Sequence, residues 1–130
     1  MKTLLILHGW GFSSTVFAPL KDRLQADFNV VTPDRPGYGD DNAATDADSP
    51  VAPLQSPSLV LGWSLGGLAA MRLALQQPEL VSGLVLLAAT PCFVNRKDWQ
   101  AGMDTTVFAA FHQQVIEDEK TAMQQFVRLN

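Results

Sequence analysis

The chain has 130 residues, 47% of them apolar and 17% charged, which is the size of one folded domain and excludes a disordered polymer. The net charge of −4, without any Lys/Arg cluster, excludes an electrostatic footprint for nucleic acid. The single cysteine, Cys92, leaves no intrachain disulfide and no cysteine-based metal site, and suits a reducing compartment.

The chain opens MKTLLILHGW. Its apolar run before His8 is too short for a signal-peptide core or a membrane span, so the default expectation is a cytoplasmic protein with no membrane partner. Leu4 to Leu7 reads as a buried strand entering a glycine-rich turn, HGWG. Ser13 or Ser14 can cap a helix, in which Val16, Phe17, Leu20 and Leu24 share one face. FNVVTPD is a second buried strand, stopped by Pro33. The stretch RPGYGDDNAATDADSPVAPLQSP holds four prolines and many small or acidic residues, and reads as loop with at most a turn or two of helix.

SLVLGW is a third strand, SLGGLAAMRLALQQ a helix ended by Pro78, and SGLVLLAATP a fourth strand. Continuous apolar strands separated by crossovers predict an α/β fold. Its expected form is a three-layer α/β/α arrangement on a parallel sheet of about four strands. After Pro91 the character changes. CFVNRKDWQAGMD is irregular, and the rest reads as one or two helices. Val107, Phe108, Phe111 and Val115 fall on one helical face, and Ile116, Met123, Phe126 and Val127 on another.

The stretch GWSLGG places Ser64 between Gly62 and Gly66, where a strand turns into a helix. A sharp turn there forces unusual backbone angles and close backbone approach, so small neighbours are needed. The helix N-terminus presents unsatisfied N–H groups and a partial positive charge. The N–H of Leu65 is therefore the natural first donor to an oxyanion forming beside Ser64, and the N–H of Trp10, in HGWG, the second if the two strands are neighbours. The plainer alternative is a helix-capping serine between flexible turns.

With these residues in view, LLILHGWG, VVTPDRPGYGDD and LVLGWSLGGLAAMRLALQQPELVSGLVLLAATPCF together resemble the α/β-hydrolase superfamily. Within it, LHGWG, GWSLGGL and PCF followed by DW resemble the family of carboxylesterases that hydrolyse pimeloyl-carrier-protein methyl esters in biotin synthesis. The resemblance implies a serine carboxylesterase with Ser64 as nucleophile, Trp10 and Leu65 N–H groups as the oxyanion hole, and no metal or organic cofactor. It also implies that residues 1–92 are the N-terminal part of the hydrolase core and 93–130 the start of a helical cap. Phe111, Phe126 and Asn130 would belong to that cap, with Trp10, Phe111 and Phe126 lining an apolar tunnel for the acyl chain; ordinary helix packing accounts for these aromatics equally well. The implied partners are a small acyl ester and an acyl-carrier protein, although the residues after Pro91 offer a carrier only Arg96, Lys97, Lys120 and Arg128 as cations.

A serine hydroxyl needs a base. The chain has two histidines. The resemblance makes His8 structural, and His112 reads as an exposed helix residue. Asp34 reads as a turn-former that accepts backbone N–H bonds within DRPGYG. The expectation is therefore a piece of a longer hydrolase, lacking the catalytic Asp and His of the C-terminal core and weakly active or inactive alone. Its fourth strand would be an open apolar edge, through which copies associate. Other serine hydrolases (thioesterase, aminopeptidase, C–C hydrolase) and a non-catalytic binding protein on the same fold are the competing functions.

Overall fold

A computed structural model describes residues 1–39 and 54–129. Residues 40–53 of the expected Pro-rich loop, and Asn130, lie outside the described residues. The chain divides into two compact units, Met1–Pro91 and Cys92–Asn130.

The first unit is built on four strands: β1 (Lys2–Leu7), β2 (Phe28–Val31), β3 (Ser58–Trp63) and β4 (Val81–Leu87). All pair in parallel, in the order β2-β1-β3-β4. Side chains of β1 alternate between the faces, as a strand requires. Leu5 and Leu7 pack with Val60, Ala70 and Leu73 under the helix Leu65–Gln76 (α2). Leu4 and Ile6 pack with Phe17 and Val30 on the other face, against Leu20 and Leu24 of the helix Ala18–Leu24 (α1). A central strand covered on both faces explains why LLIL is apolar without a break. Each of these fully buried aliphatic side chains contributes roughly 1.5–3 kcal/mol.

Two local expectations change. Ser13 and Ser14 do not cap a helix with their side chains. The chain enters through a 3-10 turn, Ser14–Phe17, and α1 begins at Ala18 with Pro19 in its first turn, where the missing N–H costs nothing. Val16 sits on that turn and is 41% exposed, so it leaves the core face to Phe17, Leu20 and Leu24. In β4 the pairing shifts by one residue, from Ser58↔Val81 to Leu59↔Gly83. The bulge at Ser82 resets the alternation, so Leu84 and Leu86 follow Val60 and Gly62 on one face while Val85 and Leu87 follow Leu61 and Trp63 on the other.

The second unit holds the helices Thr105–Glu117 (α3) and Glu119–Leu129 (α4). Asp104 caps α3 by accepting from the Thr106 N–H at 2.8 Å. Asp118 links the helices, its side chain accepting from the Thr121 N–H and hydroxyl at 3.1 and 2.6 Å. The residues before α3 are less irregular than their composition predicts: Val94 bridges Met103, and Arg96 bridges Trp99. Of the apolar faces expected here, Phe111, Val115, Met123 and Phe126 are half-buried, while Val107, Phe108, Ile116 and Val127 are exposed; the buried residue of α4 is Ala122, which neither face included. Among the described residues no helix is long and apolar enough to cross a membrane.

Candidate functional site

Loops leaving the carboxyl ends of β1, β2 and β3 gather at one end of the sheet. The register Leu7↔Gly62 brings the turn after β1 beside the turn after β3. Ser64 stands at that second turn with φ 54° and ψ −121°, a conformation that side-chain-bearing residues avoid. It is held there from both sides. Its N–H donates to the Leu87 carbonyl at 2.9 Å, and its carbonyl accepts from the Gly67 N–H at 2.8 Å. The half-buried Ser64 side chain does not cap α2. This disposes of the plainer reading of the serine as a helix cap.

The glycines around it are required by space. A methyl group on Gly62 would stand 2.6 Å from Gly67 Cα and 2.8 Å from Ala70 Cβ, closing the strand against the helix it feeds. One on Gly66 would run into the Leu7 carbonyl and stand 2.6 Å from the His8 carbonyl oxygen. Gly67 abuts Ala89, just past β4, and so lets α2 approach the fourth strand's exit. Gly9 completes the set, because a methyl there would lie 3.1 Å from Ser64 Cβ and 3.6 Å from Ser64 Oγ. The backbone of the HGWG turn therefore runs directly against the serine. Leu65, as the first residue of α2, has no carbonyl one turn earlier to receive its N–H.

His8 is fully buried and lies beneath this turn. Its Nδ1 is 2.9 Å from the Gly9 carbonyl oxygen, and its Nε2 accepts from the Arg35 N–H at 3.0 Å. Both nitrogens are occupied, so the ring has none to offer Ser64. Burial, with the Arg35 cation nearby, holds its basicity below the ordinary histidine value despite the pull of Asp34 at 4.0 Å. Asp34, expected to bond within its own turn, uses Oδ1 to accept from the Ser14 N–H at 2.7 Å, tying the loop after β2 to the start of the 3-10 turn. Around the same carboxylate the chain bends through Gly37 and Gly39, at φ 77° and 57°. Arg35 lies over the Tyr38 ring at 5.5 Å, and burial lowers its basicity.

Of the other residues singled out from the sequence, Phe111 and Phe126 meet each other across α3 and α4, ring centres 6.4 Å apart. That contact is the helix-packing alternative. His112 is exposed on α3 and stacks with Phe108 at 6.3 Å. Asn130 lies outside the described residues. Sequence reasoning missed Ala88, which takes φ 45° immediately after the Leu87 carbonyl that holds Ser64. The run AAT carries no signal for it beyond small size. Among the described residues no group of three or more His, Cys, Asp or Glu could hold a metal ion.

Similarities to known proteins agree with this geometry. A model of the alpha/beta hydrolase family matches residues 4–128. A pimeloyl-[acyl-carrier protein] methyl ester esterase of Xylella fastidiosa (strain 9a5c) is 36% identical over 133 residues, covering 98% of this chain and 52% of that protein. Its namesake in Yersinia pseudotuberculosis serotype O:1b (strain IP 31758) is 40% identical over 134 residues, covering 97% and 51%. The solved esterase EaEST from Exiguobacterium antarcticum is similar with a TM-score of 0.84 at 27% identity, over 97% of this chain and 52% of that one. The N-acyl homoserine lactonase AidH reaches a TM-score of 0.60 at 26% identity, over 72% and 39%. The chain thus spans about half the length of the curated relatives it matches. With the family model running from β1 to the last helix over this same parallel sheet, the chain belongs to the alpha/beta hydrolase family.

Proposed function

We propose that this chain carries the nucleophile and oxyanion-binding half of a serine carboxylesterase. The observation that carries the reading is Ser64 itself: a half-buried hydroxyl at φ 54°, on the turn between β3 and α2, with the Gly9 backbone against it. Holding a side chain at such angles costs about 1–3 kcal/mol, a cost that pure packing does not require. Ser64 attacks the ester carbonyl. The tetrahedral oxyanion is received by the N–H groups of Leu65 and Trp10, each donor contributing roughly 3 kcal/mol to the barrier. Alcohol leaves, and water hydrolyses the acyl-enzyme.

The proton of Ser64 does not go to His8, whose nitrogens are both engaged. In a protein of the relatives' full length the acceptor would come from residues that these 130 do not include. Alone, the chain then retains only the slow turnover that an oxyanion hole and binding sustain without a base. The names of the curated relatives support a carboxylic methyl ester as substrate, with the acyl group carried on an acyl-carrier protein in biotin synthesis. Residues 93–130 would act as the start of a helical cap, in which Phe111 and Phe126 pack against each other. The single cysteine and the relatives' role favour the cytoplasm. Copies associate through the outer edge of β4, whose residues Leu84 to Leu87 are exposed and whose seven residues carry no charge to repel a second copy.

The test is labelling with a fluorophosphonate probe followed by methyl-ester turnover, each against Ser64→Ala. Covalent labelling confined to Ser64 supports the reading. An unlabelled Ser64, in this chain and in a version carrying any downstream residues, would favour a binding protein instead.

A further inference from the structure

The buried ring of His8 admits one state. A carbonyl oxygen only accepts and an amide N–H only donates, so the bonds to Gly9 and Arg35 require the proton on Nδ1 and a bare Nε2. An imidazolium would set an N–H against the Arg35 N–H. The other groups facing the ring are the Asp34 carboxylate, 4.0 Å from Nε2, and the Tyr38 ring, edge-on at 5.3 Å. The Asp34 oxygen nearest the ring is already receiving the Ser14 N–H.

The Gly9 carbonyl shares a rigid plane with the N–H of Trp10. In a trans peptide the two point in opposite directions, and no cis bond occurs among the described residues. Fixing the carbonyl on the buried ring therefore fixes the Trp10 N–H on the opposite side of the plane. Gly9 is also the residue lying against Ser64 Cβ and Oγ.

We propose that His8 is a positioning residue for the oxyanion site. Its Nδ1–H holds the Gly9–Trp10 peptide so that the Trp10 N–H meets the oxygen forming beside Ser64, while its Nε2 ties this turn to the loop after β2. The inference rests on the esterase reading of Ser64. It goes further in giving the amide's direction a single side-chain cause.

Two substitutions separate the two bonds. The amide nitrogen of an asparagine can stand where Nδ1 stands, and the amide oxygen of a glutamine reaches to where Nε2 accepts the Arg35 N–H. His8→Asn keeps a donor for Gly9, and His8→Gln loses it. Among folded variants, matched by circular dichroism, Ser64 of His8→Gln should label with a fluorophosphonate about tenfold or more slowly than Ser64 of His8→Asn, in line with the loss of an oxyanion-hole donor. The Trp10 amide resonance should move further in His8→Gln than in His8→Asn. Independently of any variant, nitrogen-15 spectra of the wild-type chain should report a protonated Nδ1 and a bare Nε2 at neutral pH. Equal labelling rates in the two variants, or a proton on Nε2, overturns the proposal. If the wild type does not label, in this chain and in a version carrying any downstream residues, the esterase reading fails instead, and the tautomer still reports whether the ring holds Gly9.

Discussion

Gly66→Ala sets two effects of opposite sign against each other. Gly66 lies in the first turn of α2, and alanine is the better helix former by about 1 kcal/mol. On propensity alone the substitution stabilises. The space is lacking, however: the new methyl runs into the Leu7 carbonyl and stands 2.6 Å from the His8 carbonyl oxygen. These are backbone atoms at the end of a strand bonded on both sides, so no rotamer change relieves them. Forcing a methyl into such a contact costs about 1–3 kcal/mol and more where nothing yields. The backbone clash wins, and the expected net loss is about 1–2 kcal/mol, with α2 pushed away from the end of β1. Urea unfolding followed by far-ultraviolet circular dichroism gives the stability, and the rate of Ser64 labelling gives the effect on the site. Because the displaced carbonyls flank Gly9, labelling should slow even where the variant is fully folded. A variant as stable as the wild type would refute the packing argument. It would mean that α2 does not rest on the exit of β1.

Further outcomes follow from the same contacts. Ser64→Ala and Ser64→Gly both abolish labelling, but glycine accepts φ 54° and alanine does not; after glycine's entropic cost, the glycine variant should be the more stable by about 1 kcal/mol in urea unfolding. Burial lowers the affinity of His8 for a proton in the fold, whereas the unfolded chain binds one near pH 6.5. Between those values the unfolded state holds more protons, so stability should fall as pH drops below about 6.5, by at most about 1.4 kcal/mol per pH unit, and urea midpoints of His8→Asn should depend less on pH in that window. Light scattering should find the wild-type chain associated at high concentration, and Val85→Lys, at a position 50% exposed, should shift it towards monomer. A wild type that stays monomeric removes the edge-pairing idea, and association unchanged by Val85→Lys moves the interface elsewhere.

What could be read from the residues, and what could not, divides along a physical line. Strands were legible where a continuous apolar run met a glycine or proline: SLVLGW is β3 from Ser58 to Trp63 without adjustment. The elbow was legible because close backbone approach leaves glycine as its trace, at positions 62 and 66. Features whose partner is main chain left no such trace. The ring of His8 is satisfied by a carbonyl and by the N–H of Arg35, which any residue type, or any but proline for the N–H, would have supplied. Asp34 reaches the Ser14 N–H, twenty residues away, for the same reason. The shift at Ser82 is set by pairing with β3, and the left-handed turn at Ala88 by the need to deliver the Leu87 carbonyl to Ser64.

The side chains that frame the serine can therefore be named from the sequence, but the amides that would receive its oxyanion are aimed by bonds that the sequence does not spell out. This is why the orientation of one peptide, Gly9–Trp10, is the most informative quantity left to measure. If that peptide is held by the buried imidazole, Ser64 faces a prepared amide before any base arrives. If it is not, the strained turn alone explains little of the chemistry.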